Sequence, residues 1–474
     1  MLDDFREYLE EAIGRENAAV AFSAFSGPAS VSVRLNPFKS TDGGVKAWDE
    51  SSVEQVPWSS HGIMLPLRPV FTLDPLFHAG AYYVQDSSSM FVGEVFRKAL
   101  GRLFPDGAPA DRPVRVLDLC AAPGGKTTDL AASLREMFGD RFILIANEVM
   151  KQRSGVLAEN LALWGEPNVM VTSLDPSSFA ALGGYFDVIL ADVPCSGEGM
   201  FRKDAEAERQ WSRDNVALCQ SRQKRIIADV WPSLAEGGLL VYSTCTFNRY
   251  ENDLNVRWIM DELGAVAADC TGLDSFSSAG VLRTEHGYSL VPGLVRGEGQ
   301  YCAALVRTSG SEASVMDRQR TGKRKGAKEG GSRAAQPSAH ALDPLFRTQV
   351  ELRQKGNLLI ALPASVASEM ETVAAELRPI RVGCSVGEIK GNDLVPSADL
   401  ALNLLLDENA FPMAELSLED ALAFLHRDSI SLPELPKGYV LVCHGGLPLG
   451  FVKNLGTRCN NLHPQGRRIR MDVK

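Results

Sequence analysis

The chain has 474 residues, 45% of them hydrophobic and 23% charged, a composition that fits a soluble globular protein and a length that exceeds what one hydrophobic core usually supports. A formal net charge of −10 excludes a uniformly basic nucleic-acid binder, although contact depends on local patches rather than on the average. No apolar run reaches the ~18 residues of a membrane span, the start Met1-Leu2-Asp3-Asp4 is acidic where a signal peptide is basic, and the nine cysteines lack a Cys-x-x-Cys pair, so a cytoplasmic protein with reduced thiols and no zinc or other metal site is expected.

Residues 1–75 open with Leu2, Phe5 and Leu9 at helical spacing and continue to the alternating Val31-Ser-Val-Arg-Leu-Asn36, which predicts a small α+β domain. Met90, Phe91, Val95 and Phe96 predict a helix over 88–100, with the serines at 87–89 as its cap. Residues 76–307 then form the regular part. Apolar runs at 114–119, 142–146, 169–172, 186–191 and 239–242 alternate with helical stretches at 127–138, 150–163 and 213–235. Strands apolar along their whole length, alternating with helices, predict an α/β doubly wound parallel sheet of Rossmann-like type. Two further strands, near Val281 and over 300–307, close this domain. Residues 308–340 read as a flexible linker, with Arg318, Arg320, Lys323, Arg324, Lys325, Lys328 and Arg333 set against Asp317 and Glu329. RNA contact and a solvated charge run both remain open for it. Residues 341–474, with a strand at 358–362 and a helix around 365–377, read as one or two small α+β modules, and the tail adds Arg467, Arg468, Arg470 and Lys474.

Chemistry gathers at the strand ends. Cys-Ala-Ala-Pro-Gly-Gly-Lys (120–126) follows the first strand and precedes a helix, so its glycines allow close backbone approach and the helix start presents free N–H groups to an anion. A P-loop NTPase reading, suggested by Gly125-Lys126-Thr127, remains as an alternative but is disfavoured, because position 120 is Cys rather than Gly and Pro123 removes an N–H from the cradle. A Gly-x-Gly-x-x-Gly fingerprint is absent. Glu148 ends the second strand at a distance suited to ribose hydroxyls, while Asp175 and Asp192 follow the third and fourth. Helix capping competes with ligand binding for Asp175. Cys195 in Asp-Val-Pro-Cys-Ser-Gly (192–197) and Cys245 in Tyr-Ser-Thr-Cys-Thr (242–246) each follow a buried strand of the same sheet, which suits thiolate chemistry beside a nucleoside cofactor.

These motifs resemble the Nop/Sun family of S-adenosylmethionine-dependent RNA cytosine-C5 methyltransferases, and within it the bacterial small-subunit rRNA enzymes of RsmF type. Ser32-Val-Arg-Leu-Asn36, Gly80-Ala-Tyr-Tyr-Val-Gln-Asp86, Phe201-Arg-Lys-Asp204, Gly297-Glu-Gly-Gln300, Gly450-Phe-Val-Lys453 and Asn461-Leu-His-Pro464 extend the likeness over nearly the whole chain except the linker. Val193 departs from it, standing where the family usually has Ala.

The resemblance implies S-adenosylmethionine held by Cys120, Ala121, Ala122, Pro123, Gly124, Gly125 and Lys126 with Glu148, Asp175 and Asp192. It also implies Cys245 as the nucleophile adding to carbon 6 and Cys195 as the group that helps resolve the adduct. Asp192 is expected at the cofactor or the cytosine amine, and Lys126 beside the thiolate or the nucleotide. Tyr82, Tyr83, Phe201 and Trp211 are candidates to stack a base, or to be core, and Arg202 and Lys203 are candidates for phosphates. The implied partner is 16S rRNA or the small ribosomal subunit, bound by the N-terminal domain and a C-terminal PUA-like region, with a monomer expected. The same chemistry on tRNA and a non-catalytic RNA-binding assembly factor are the alternatives.

Overall fold

The computed structural model describes residues 2–39, 48, 53–308, 342–391 and 393–471. The basic linker at 308–340, apart from its first residue, and Lys474 lie outside the described residues, so the expectations placed on them stay as stated.

At the centre, five parallel strands stand in the order β3–β2–β1–β4–β5: β1 is Val114–Asp118, β2 Phe142–Asn147, β3 Val169–Thr172, β4 Phe186–Asp192 and β5 Leu234–Thr244. An antiparallel β6, Gln300–Arg307, extends the β5 edge. Because β1 pairs with both β2 and β4, the chain reverses its direction of winding there, and the carboxyl ends of β1 and β4 open the crevice where doubly wound sheets bind ligands.

The apolar strands arise because both faces are covered. Alternate residues Val116, Leu144 and Val188 pack on one side with Phe91, Phe96, Leu130 and Leu134 of α1 (Ser87–Leu103) and α2 (Gly125–Phe138). Leu117, Ile145 and Ile189 pack on the other with Ile226 and Ile227 of α4 (Arg213–Val230) and Val256 and Ile259 of α5 (Asp253–Leu263). The remaining crossover helix, α3, is Lys151–Trp164. Asp86, rather than one of the serines expected at 87–89, caps α1 by accepting from the Ser88 N–H at 3.0 Å.

Two features cross the expected boundaries. The N-terminal sheet takes in Tyr82–Val84, which pairs with Val31–Leu35, so it runs past residue 75. From the C-terminal region, α6 (Ala367–Leu377) buries Met370, Val373 and Leu377 in the second face of the central sheet, a gain of about 1.5–3 kcal/mol for each large apolar side chain. The two-residue β7, Arg381–Val382, then pairs with the β3 edge. Beyond it, the strands Gly438–His444 and Leu447–Asn454 share a core with the N-terminal sheet, where Val33, Tyr82, Phe424 and Val452 meet.

Polar contacts fasten this shell to α3. Arg467 pairs with Glu159 of α3 at 2.6 Å and with Asp399 at 2.8 Å, and buried Lys39 donates to the carbonyl of Leu163 at 2.6 Å.

Candidate active site

The turn after β1 is tied back by its carbonyls. Arg153 donates to Ala122 O at 2.8 Å, Asn160 and Tyr83 donate to Pro123 O at 2.8 and 3.1 Å, and Arg34 donates to Gly125 O at 3.2 Å. With these carbonyls engaged from behind, the first N–H groups of α2, which have no intrahelical partner, are left for a ligand. Gly124 sits at φ +113, a backbone conformation that favours glycine, and a Cβ there would crowd the Leu157 side chain at 3.2 Å.

Around this cradle, Glu148 is buried at the end of β2, where its carboxylate accepts from the Met150 N–H at 2.9 Å and faces Arg153 at 3.2 Å. Asp118, at the end of β1, is fully buried. One of its oxygens accepts from Thr127 Oγ1 at 2.6 Å and the other has no partner. Burial, only partly offset by that hydrogen bond, pushes its carboxyl up to about 7. Desolvation likewise raises the Cys120 thiol, which leaves it a poor nucleophile. Asp175 is exposed and spends one oxygen on the N–H and hydroxyl of Ser177 at 3.1 and 2.7 Å, the capping alternative raised by its Asp-Pro-Ser setting.

The two cysteines meet at the other rim. Cys195 follows β4, Cys245 follows β5, and their Sγ atoms lie 3.1 Å apart. Asp192 stands between this pair and the turn, accepting from Lys126 Nζ and Ser243 Oγ, each at 2.9 Å, and Gln300 holds Ser243 at 2.6 Å. Burial opposes the charge on Lys126, but Asp192 and then Cys245 outweigh it, so the ammonium is held above its ordinary range. The contact with Cys245, together with burial, pushes the Cys195 thiol well above the usual thiol range.

Sequence reasoning missed what holds this rim. Glu198, three residues after Cys195, accepts from the backbone N–H groups of Phe247 and Asn248 at 2.7 and 3.0 Å, and from Trp211 Nε1 at 2.8 Å. Glu251, six residues after Cys245, accepts from the Ser196 N–H at 3.0 Å and from Gln223 Nε2 at 2.7 Å. Asn147 was also missed. It joins three strand ends by donating to Leu119 O and Leu174 O and accepting from Thr172. The spacing Ser-Gly-Glu after one cysteine and Asn-x-x-Glu after the other was the available signal.

All four aromatic candidates make contacts within the protein, and Tyr82 and Trp211 are buried. Tyr82 donates to Asp74, Tyr83 braces the turn, and Phe201 and Trp211 pack with Phe5 of the first helix. Arg202 and Lys203 are likewise committed to protein, Arg202 to Glu298 at 2.7 Å and Lys203 to Asp86 at 2.9 Å, which corrects the expectation that they meet phosphates. Among the described residues no helix is long and apolar enough to cross a membrane, and no group of three His, Cys, Asp or Glu side chains could hold a metal ion.

Comparison with known proteins shows the family. The family model "16S rRNA methyltransferase RsmB/F" matches residues 108–306. The "N-terminal domain of 16S rRNA methyltransferase RsmF" matches 2–87, and the "Methyltransferase RsmF PUA domain" matches 411–469. Ribosomal RNA small subunit methyltransferase F of Enterobacter sp. (strain 638) is 31% identical over 482 residues, covering 98% of this chain and 95% of the relative. Its counterpart in Erwinia tasmaniensis is 32% identical over 422 residues, covering 86% of this chain and 84% of the relative. Among solved structures, a methyltransferase homologue from Pyrococcus horikoshii has a TM-score of 0.50 at 25% identity over 64% of this chain and 93% of that one. NSun6 from the same organism, solved with SFG, shares the fold with a TM-score of 0.50 at 19% identity over 64% of this chain and 97% of that one.

Proposed function

Because the chain belongs to the RsmB/F family of 16S rRNA methyltransferases, we propose that it transfers a methyl group from S-adenosylmethionine to carbon 5 of a cytosine in 16S rRNA, through a covalent bond between Cys245 and carbon 6. It is an rRNA methyltransferase with a Rossmann-like domain and an RNA-binding PUA domain. The reading of its chemistry is carried by one observation: two cysteine sulfurs 3.1 Å apart, in the loops that follow two neighbouring strands of the central sheet.

The residues present fit S-adenosylmethionine. The α2 amides suit its carboxylate, Glu148 suits ribose hydroxyls, and the unpartnered oxygen of Asp118 marks a polar group at the same edge that still lacks a donor. When bound, the cofactor supplies an electrophilic methyl group.

Carbon 5 of cytosine is a weak nucleophile in an intact aromatic ring. The Cys245 thiolate forms a bond to carbon 6, the ring double bond shifts toward carbon 5, and the electron pair gained there takes the methyl group. The proton on carbon 5 is then removed, the carbon 5–carbon 6 double bond reforms and Cys245 leaves as thiolate. Cys195, close to Cys245, can relay that proton by giving up its own as it receives this one. Asp192, ordered by Lys126 and Ser243, accepts from the exocyclic amine of the cytosine and so favours cytosine over uracil, which has a carbonyl at that position. The base must leave its stack to reach these groups.

Incubating the protein with small-subunit rRNA and methyl-labelled S-adenosylmethionine, then digesting the RNA to nucleosides, tests the reading. Label in 5-methylcytidine is expected. Label confined to another nucleoside overturns it.

A further inference from the structure

The loops carrying the two cysteines are cross-braced by carboxylates, each loop lending its own to the other. Glu198 of the Cys195 loop receives two backbone N–H groups from the Cys245 loop, and Glu251 of the Cys245 loop receives the Ser196 N–H, adjacent to Cys195. Asn248 donates its side-chain amide to both carboxylates at 2.9 Å. Glu198 is 1% exposed and Glu251 fully buried, every partner is an uncharged donor, and among the described residues neither forms an ion pair. Buried carboxylates are normally compensated by a cation, so this arrangement maintains negative potential on the Cys195 side of the pair. On the Cys245 side stands the Lys126 ammonium. The two sulfurs therefore lie across a gradient, with anion behind one and cation beside the other.

We propose that Glu251 is a positioning residue that fixes the division of labour between the cysteines: through the Ser196 amide it holds the Cys195 loop in place, and its charge keeps the proton on Cys195, so that Cys245 is the thiolate that attacks. This rests on the proposed reaction and deepens it. Cys195 faces Cys245 from the opposite loop, Glu251 from behind and Tyr242 of β5, and none of these groups is a cation. The first two, with burial, act in the same direction on its thiol. Burial and the charge of Glu198 push the Glu251 carboxyl itself up to about 7, so the brace is fully charged only above neutrality.

The test is competitive alkylation of the full chain with iodoacetamide at pH 8, with modification of Cys195 and Cys245 quantified by peptide mass spectrometry. In the wild-type protein Cys245 should react at least about tenfold faster than Cys195, because the thiolate is the reacting form. Glu251→Gln should narrow that ratio by at least about threefold, the contact with Cys245 and burial still acting on Cys195, and lower kcat on the order of tenfold, with KM for S-adenosylmethionine unchanged. An unchanged ratio in a folded Glu251→Gln protein overturns the proposal. So does faster labelling of Cys195 in the wild type, an arm that stands even where the variant fails to fold. Nucleoside analysis run in parallel separates the two readings: 5-methylcytidine with an unchanged ratio sinks only the role of Glu251, whereas the expected ratios without 5-methylcytidine sink the reaction.

Discussion

The two rims of the candidate active site differ in where their polar bracing comes from. At the cofactor rim, the glycine turn is positioned from outside its own βα unit, by Arg34 and Tyr83 of the N-terminal region and by Asn160 and Arg153 of α3. The same α3 carries Glu159, the partner of Arg467 near the C-terminus. At the cysteine rim, the bracing carboxylates and most of their donors belong to the catalytic domain itself, and nearly all of them are buried. The cysteine rim also leans on the N-terminal helix, where Trp211 packs with Phe5 and Arg249 and Tyr250 reach Glu11, but the carboxylate brace itself is internal and buried. On the proposed reading, the methyl donor sits at the rim tied to the N-terminal region and α3, and the bond-forming sulfurs at the rim with the internal brace.

Loss of the proposed nucleophile should give the largest effect. Cys245→Ala should abolish both turnover and covalent RNA adducts while cofactor affinity stays near normal. Cys195→Ala should still form the adduct and resolve it slowly, so that a denaturation-resistant protein–RNA complex accumulates with S-adenosylmethionine present. Gel mobility after denaturation reads both, and adducts in Cys245→Ala but not in Cys195→Ala would exchange the two assignments.

Next comes the brace. Glu198→Gln replaces an acceptor of four donors by a group that brings its own N–H protons against them, and should lower stability by about 2–4 kcal/mol, measured by denaturant titration. A loss under about 0.5 kcal/mol, the scale of an ordinary surface substitution, would make the brace ornamental.

Asp118, with one oxygen unpartnered, gives a pH signature. Its carboxyl is raised in the fold from the usual 3.8 to about 7, so the native state binds the extra proton between these values and the contribution of Asp118 to stability falls as pH rises through that window. Asp118→Asn should therefore be more stable than wild type by on the order of 2–4 kcal/mol at pH 8 and show no such advantage at pH 4. Equal melting curves at both values would show that the proton is not there.

At the cofactor rim, Glu148→Ala should weaken S-adenosylmethionine binding by about 1.5–3 kcal/mol with the alkylation ratio of the cysteines unchanged, since the rims are held separately. A disturbed ratio would break the contrast between them. The smallest effect belongs to Asp175→Ala, a capping loss of about 0.5–2 kcal/mol in stability with little change in cofactor affinity. Calorimetry separates the two, and a tenfold loss of affinity would return Asp175 to the binding set.

The central sheet was legible because strands covered on both faces must be apolar throughout, as in Phe-Ile-Leu-Ile-Ala-Asn (142–147), where every residue is buried. The cysteine pair was legible because each motif follows such a strand. The brace was not. Glu198 and Glu251 lie in loops among Ser, Gly and Asn, where a carboxylate normally faces water, and only the meeting of two loops about fifty residues apart in sequence buries them. Arg202 and Lys203 misled in the converse sense, since the carboxylates that engage them, Glu298 and Asp86, are each about a hundred residues away in the chain. β7 was hidden for a further reason: two residues, Arg381 and Val382, carry no periodicity of their own.

That short strand bears on how the molecule is made. β3 emerges from the ribosome long before β7, so the nascent chain carries an open sheet edge, and a half-covered apolar face awaiting α6, while everything between is still being synthesised. A chain that terminates early in the 341–380 region would retain every residue proposed for catalysis and still expose an unprotected edge. Such a product would meet the surveillance of chaperones and proteases before it met RNA.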